Sequence, residues 1–337
     1  MTDWGDVIAR VRGLAGQLLE PGDWRALCAS RDLEGLGVQL ASRGVFSRAS
    51  ADAPTTPLAI ELAVRRRAGA RLRILARWAG PRVSALAPIF DDEDRRSLRA
   101  LVRGAVAGVS AAERVSGLIA TPSLPIRALD TLSEAPDLDA LRALLALWRH
   151  PLAPALSGEA ARAHPDLFRI DCELARRFAA RAAEAARRAD AAMARFVSLT
   201  IDLENLWTAL ALADGRFDVD VGRLFVPGGT IVTADDLAVS AQTRTTVALV
   251  AGLRPRVAHT PVAAALDAAD RPREERALDA MASAFRRDAL RDPLSTAPII
   301  AFALRQRAEV RNLLHITWGI ALGATSRHIA RAIGVAA

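Results

Sequence analysis

Lysine and tyrosine are both absent from this sequence of 337 residues, so all 45 basic side chains are arginines. A nucleotide-binding loop of the Gly-x-x-x-x-Gly-Lys-Ser/Thr type needs a lysine that reaches the terminal phosphates. This chain cannot form that loop. If nucleotide hydrolysis accompanies its function, the hydrolytic site must lie on a partner.

Cysteine and histidine are scarce as well. Cys28 and Cys172 stand far apart and in no spacing typical of zinc ligands, so the sequence predicts neither a disulfide framework nor a metal site. The histidines include no His-Glu-x-x-His motif and no close pair; they are His150, His164, His259, His315 and His328. We therefore expect no metal and no cofactor.

Long hydrophobic runs are also missing. The most apolar runs, residues 246–253 and 298–304, end at an arginine, whereas a membrane-spanning helix needs about 18 or more apolar residues in succession. The N-terminal residues are acidic and lead into no apolar signal core. The sequence predicts a soluble, cytosolic protein that associates with a membrane only through a partner.

The formal charge of +7 leaves two interpretations open. A nucleic acid or an acidic lipid could be the partner of such a basic chain. Alternatively, the balance reflects a preference for arginine codons, since 38 acidic residues are interspersed among the basic ones. We favour the second interpretation and expect no nucleic-acid partner, because the chain has no basic tail and no arginine run interleaved with aromatic residues.

The abundant residues are alanine, leucine and arginine, which are among the best helix formers. Between residues 58 and 79 the apolar residues recur every three or four positions, and Gly80-Pro81 ends the pattern. Residues 168–199 show a similar, alanine-richer periodicity. The best strand candidate, residues 224–226, is short. The sequence therefore predicts an all-α fold.

Three sequence marks recur in the same order with a period of roughly 105 residues. The first is an acidic-Leu helix start at residues 32–36, 137–141 and 236–238. The second opens a long helix at residues 60–63, 170–175 and 275–278. The third is an acid, two variable residues, a small polar residue and Leu: Asp94, Ser97 and Leu98; Asp202, Asn205 and Leu206; Glu309, Asn312 and Leu313.

The first and last copies stay in register beyond the third mark. Gly104 and Gly108 correspond to Gly319 and Gly323, and Ser110 corresponds to Thr325. A glycine ends a helix and a Ser or Thr begins the next, and Ser110 with Glu113 is predicted to form a capping box. The marks predict three pseudo-symmetric helical repeat domains, residues 1–120, 121–230 and 231–337.

The motif acids have a catalytic and a structural interpretation. Asp202 with Glu204, or the acids at residues 91–94, could form a general acid/base pair. The threefold recurrence favours the structural interpretation, because an active site needs one constellation whereas a structural joint is needed in every repeat. We expect these residues to act in helix initiation or in hydrogen bonds between helices.

Three segments resemble the C-type (or d-type) central-stalk subunit of V-type and A-type rotary ATPases. Residues 8–19 resemble its N-R-V-R opening segment, residues 201–206 its D-x-x-N-L signature, and residues 309–319 its E-x-x-N-L segment. The order of these segments along the chain is that of the family. The chain departs from the family in having Phe46 but no tyrosine, Ser97 for asparagine, and Trp207 where a basic residue is common.

The resemblance implies a three-domain funnel on the cytoplasmic end of the proteolipid c/K ring, with the D/F-type shaft subunits in its mouth. Such an adapter transmits torque for ATP-coupled transport of H⁺ or Na⁺ and does no bond chemistry. It implies a monomer within a hetero-oligomer, peripheral on the cytoplasmic face of the membrane. A nucleic-acid-binding helical repeat and an enzyme of another kind are the competing functions.

Overall fold

The computed structural model describes residues 3–46, 55–215, 220–267 and 271–335, and over these ranges it contains helices but no β-strand. The all-α prediction is confirmed. The strand candidate at residues 224–226 follows a 3₁₀ turn, Val221–Arg223, and the bridge described nearby joins Pro227 to Gly229.

Groups of short helices alternate with pairs of long helices along the described ranges. The N-terminal part contains α1 (Gly5–Ala15), α2 (Pro21–Cys28), α3 (Leu33–Ser42), α4 (Pro57–Ala79), α5 (Ala87–Val106) and α6 (Ala111–Ser116). The middle part contains α7 (Ile126–Ser133), α8 (Leu138–Leu147), α9 (Leu167–Arg188) and α10 (Ala191–Asp214). The C-terminal part contains α11 (Ala234–Thr243), α12 (Thr246–Val257), α13 (Ala263–Leu266), α14 (Arg273–Arg291), α15 (Ala297–Ala321) and α16 (Ser326–Ala332).

Helix α4 has the boundaries that its sequence predicts. The Thr56 side chain accepts a hydrogen bond from the Ala59 amide at 3.3 Å, and Pro57 occupies the first turn, where no amide donor is needed. Gly80 ends the helix with a φ of +55°, which a residue with a side chain rarely adopts. The apolar positions of the periodic pattern, such as Ile60 and Leu75, are fully buried.

The periodic segment at residues 168–199 forms two helices instead of one. The chain turns at Ala189, and the Asp190 carboxylate accepts a hydrogen bond from the Met193 amide at 3.0 Å, which starts α10. The same carboxylate accepts bonds from the amide and the hydroxyl of Thr296, each at 2.6 Å. Periodicity alone did not predict this break; the signal for it was local, since aspartate is a common residue at the N-terminal cap of a helix.

The long helices pack both against their neighbours in the chain and against long helices from other parts of the chain. α9 packs against α10 and α14 against α15, but α4 packs most extensively against α15, and α5 against α9. Of the first pair of long helices, α4 therefore contacts the C-terminal part of the chain and α5 contacts the middle part. The helices α5, α10 and α15 carry the third sequence mark.

Each short helix that contains the first sequence mark packs against one of these three helices. α8 packs against α5, α11 against α10, and α3 against α15. Asp32 and Asp137 cap α3 and α8 by accepting the amides of Gly35 and Ala140. In the last part the capping residue is Thr233, and Asp236 completes its capping box from the third position. The sequence pattern placed that helix start at Asp236, which is three residues too late.

Helix α10 is largely enclosed by the rest of the protein. Among the described helices it alone has the length and composition of a membrane span, yet 78% of its apolar window is buried inside the protein. Its side chains Met193, Phe196 and Leu206 belong to an apolar cluster that extends from α1 to α16. A second cluster lies around α7 and α8.

Candidate functional site

The nine residues of the third sequence mark are all buried, and none is more than 8% exposed. They lie inside α5 (Asp94, Ser97, Leu98), α10 (Asp202, Asn205, Leu206) and α15 (Glu309, Asn312, Leu313). The leucines pack in the core clusters. The polar members bind the segments that connect the helices. We call the contacts of Asp94 the first joint, those of Asp202 the second joint and those of Glu309 the third joint.

The second joint has the most complete set of hydrogen bonds. The Asp202 carboxylate accepts the amides of Thr230, Ile231 and Val232 at 3.0, 2.8 and 3.0 Å. One turn later, the Asn205 amide donates to the Val226 carbonyl at 2.8 Å and accepts from the Val226 amide at 2.9 Å. The two side chains therefore fix the backbone of the segment that leads into α11.

The first joint uses hydroxyl groups. Asp94 accepts hydrogen bonds from Thr121 and Ser123, and its carboxylate lies 3.5 Å from Nε2 of the buried His150. The Ser97 hydroxyl lies 3.5 Å from the Ile119 carbonyl. These contacts hold the segment that leads into α7.

The third joint connects the two ends of the chain. The Glu309 carboxylate accepts the Leu19 amide at 2.7 Å and a guanidinium nitrogen of Arg71 at 2.7 Å, and Arg67 lies 3.7 Å away. Leu19 belongs to the segment that leads into α2. Asn312 is engaged differently, since its side-chain oxygen accepts two hydrogen bonds from the neighbouring Arg311.

The three acids thus perform the same task at three places. Each lies inside a helix, begins no helix, and holds the segment that leads into a pair of short helices. At least one short helix of each pair then packs against the helix that carries the acid: α8, the second of its pair, on α5; α3, also the second, on α15; and both α11 and α12 on α10. Because the third acid binds the N-terminal segment, the set of joints forms a closed cycle.

An ion network connects the three acid-bearing helices directly. Arg95 of α5 is fully buried, and its guanidinium nitrogens lie 2.6 Å from the carboxylates of Asp92 and Glu204. Glu204 of α10 also pairs with Arg99 at 2.5 Å, and Arg307 of α15 lies 2.8 Å from Asp92. Arg95 additionally stacks 5.1 Å above the Phe178 ring. Sequence reasoning missed this network, although the dense charges of residues 91–96 were a signal for it.

The charges around these carboxylates determine their protonation. Burial by itself raises the pKa of Glu204, but the guanidinium groups of Arg95 and Arg99 outweigh it and lower the pKa to about 2. Burial opposes the charge of Asp92 too, and the arginines around it hold its pKa well below the usual range. Neither group has a proton to donate near neutral pH, so Glu204 is unsuited to be the general acid of a pair with Asp202.

A cavity of about 320 Å³ opens beside the network, between α5, α10, α14 and α15. Its lining contains apolar side chains such as Trp207 and Met281. It also contains Arg99, Arg307 and Arg311, each of which already has a carboxylate partner. The paired arginines leave little excess positive charge, so the cavity is not arranged for a free anion.

The described residues contain no group of three or more His, Cys, Asp or Glu side chains that could hold a metal ion. Cys28 and Cys172 are buried thiols. Burial raises the pKa of Cys172 to about 11, so this thiol stays protonated and is a poor nucleophile near neutral pH.

Fold and site together define an all-helical protein whose recurrent polar residues hold its own segments in a closed arrangement. Comparison with known families identifies it further: the model of the ATP synthase (C/AC39) subunit matches residues 7–331, nearly the whole chain. The chain belongs to this family and is a subunit of a V/A-type ATP synthase, a membrane-associated complex. No curated protein matches the chain.

Proposed function

We propose that this chain is the non-catalytic central-stalk subunit that links the D/F-type shaft subunits of the motor to its proteolipid c/K ring. In this role it transmits torque between ATP hydrolysis or synthesis and the transport of H⁺ or Na⁺. It acts as a monomer within the complex, on the cytoplasmic face of the membrane, and contributes neither an active site nor a cofactor site.

The closed cycle of three joints is the observation that supports this role best. An adapter between a shaft and a ring must resist twisting about one axis, and three equivalent joints around an axis share such a load. The cycle supports three repeat domains, residues 1–120, 121–230 and 231–337, arranged as a funnel. The repeats would place α5, α10 and α15 next to the axis, which agrees with the ion network that connects these helices.

The buried network is suited to a torque-bearing part for a physical reason. Buried ion pairs add little net stability over an apolar core, but breaking one pair is costly, because a charge is then left without its partner. Small relative rotations of α5, α10 and α15 would break such pairs. The network therefore favours one rigid arrangement of the three helices.

Reconstitution of the motor with and without this chain tests the proposal. With the chain present, ATP hydrolysis and ion pumping should rise and fall together. Without it, hydrolysis should persist while pumping stops. Full pumping without the chain, or failure of the chain to be retained by immobilised shaft subunits, would contradict the proposed role.

A further inference from the structure

The two ends of the chain meet at the third joint, where residues 3–46 pack against the C-terminal helices. We call these residues, which contain α1, α2 and α3, the N-terminal unit. α1 and α3 pack against α15, and α2 packs against α16. The N-terminal unit also contacts the neighbouring α4, through α1.

Glu309 is the polar centre of this contact. It is 5% exposed, and its two oxygens face different parts of the chain. One accepts the Leu19 amide of the N-terminal unit, and the other accepts Arg71 of α4. Arg67 and Arg71 in turn both donate to the Gln17 carbonyl. One carboxylate therefore balances the buried guanidinium group of Arg71 and the partly buried one of Arg67, and it also accepts a hydrogen bond from the Leu19 backbone.

Arg67 is partly buried beside Arg71 and Glu309. Desolvation and the neighbouring charge of Arg71 lower the pKa of Arg67 to about 10, and Glu309 opposes this change. If Glu309 lost its charge, the two guanidinium groups would face each other without a counter-ion. The Leu19 amide would also lose its charged acceptor.

The third joint differs from the other two in how its halves are connected. Asp94 and Thr121 are 27 residues apart, and Asp202 and Val232 are 30 residues apart, so the chain itself keeps the halves of those joints together. Glu309 and Leu19 are 290 residues apart. Because α4 packs on α15, the shorter link across this joint runs from Gln17 to Arg71, 54 residues apart, which is still longer than the links of the other two joints and favours opening at the third joint slightly.

We propose that the N-terminal unit is a releasable strap and that Glu309 is its latch. The molecule opens between residues 3–46 and the helices α15 and α16, while the first and second joints stay closed. This inference goes beyond the proposed function, because it concerns the isolated chain and can be tested without the motor.

The two native thiols offer a matched pair of probes. Cys28 lies in α2, inside the strap, and is 3% exposed; Cys172 lies in α9, outside the strap, and is 6% exposed. Pulse labelling with a maleimide, followed by mass spectrometry of the peptides, reports how often each thiol becomes accessible.

In Glu309→Gln, we expect Cys28 to react at least about tenfold faster than in the wild type, because a buried charge-assisted hydrogen bond is lost. The labelling rate of Cys172 should stay the same. The control variant Asp202→Asn removes the acid of the second joint and should leave the Cys28 rate unchanged. Equal acceleration of both thiols, or none at Cys28, would overturn the proposal.

A milder variant covers the case in which Glu309→Gln does not fold. Arg305 of α15 and Glu20 form an exposed ion pair across the same contact, at 3.5 Å. Arg305→Ala should accelerate Cys28 labelling by up to about fivefold, as expected for a surface pair, again without a change at Cys172. Faster labelling of Cys172 than of Cys28 in this variant would show that the chain opens elsewhere.

Discussion

Glu204 keeps its negative charge inside the protein because two guanidinium groups face it. Its carboxylate lies 2.6 Å from Arg95 and 2.5 Å from Arg99, and Arg95 is fully buried. If Glu204 or Arg95 lost its charge, the other would remain buried without one of its counter-ions. For the pair of Arg95 and Glu204, the cost of leaving one charge without its partner is therefore larger than the net stability that the intact pair adds.

We therefore expect Glu204→Gln to lower the free energy of unfolding by about 3–5 kcal/mol, as is typical when one partner of a buried ion pair is removed. The matched control is Glu173→Gln, which breaks an exposed pair with Arg177 on α9 and should cost about 0–1 kcal/mol. Denaturation in urea measures both values. Similar losses for the two variants would contradict the assigned role of the buried network.

The same carboxylate predicts a dependence of stability on pH. Its pKa of about 2 lies below the ordinary value of 4.5, so it stabilises the folded chain above pH 4.5, and this contribution is lost as the pH falls towards 2. The contribution amounts to about 3 kcal/mol, at about 1.4 kcal/mol for each pH unit. The difference in unfolding free energy between wild type and Glu204→Gln should therefore shrink on acidification. A constant difference from about pH 6 to pH 3 would refute this.

At the scale of elements, the ends of α5 and α15 are built alike. Gly108 and Gly323 have φ values of +67° and +74°, and Ser110 and Thr325 then cap α6 and α16. Gly104 and Gly319 lie where the following helix crosses closely. A Cβ atom at Gly319 would come within 2.8 Å of Ile329 on α16. The close approach of α16 therefore favours glycine at position 319 of α15.

Two glycine substitutions separate helix propensity from close packing. Gly13 lies in α1, and a Cβ atom there meets nothing within 4 Å. We expect Gly13→Ala to stabilise the chain by about 0.5–1 kcal/mol. Gly319→Ala gains the same propensity but displaces Ile329, so it should destabilise by about 1–3 kcal/mol. Thermal unfolding compares the two, and stabilisation by both would show that α16 is not tightly packed on α15.

The helix ends predictable from the sequence are those with local causes. The capping box of Ser110 and Glu113 and the end of α4 at Gly80 depend on residues a few positions apart. The pairing of Arg95 with Glu204 depends on a partner more than 100 positions away. The recurrent acids were predicted as structural residues. Their binding of connecting segments could not be read from the pattern, because it requires the packing of distant helices.

At the scale of the whole molecule, the exposed arginines of α4 should act collectively if the proposed function is right. Arg66 and Arg73 are exposed on this helix. A shaft of low symmetry on a ring of higher symmetry cannot repeat one contact at every ring subunit, and an exposed ion pair contributes only about 0–1 kcal/mol. Arg66→Ala or Arg73→Ala alone should leave ion pumping per ATP hydrolysed nearly intact in the reconstituted motor.

Clustered substitution of these arginines should reduce coupling where the single changes do not. The comparison of single and combined variants, with folding checked by circular dichroism, measures how widely the contact is distributed. Complete uncoupling by one surface Arg→Ala change in a folded protein would contradict a distributed contact.

The docking of the N-terminal unit on α15 has a consequence for folding during synthesis of the protein. A ribosome synthesises Leu19 290 residues before Glu309. At about 5–20 residues per second, the first three helices leave the ribosome about 15–60 s before their binding surface exists. During that interval the apolar face of α1, with Val7 and Val11, has no α15 to cover it. The N-terminal unit can therefore dock on α15 only after the ribosome has synthesised that helix, although α4, which α1 also contacts, is available much earlier.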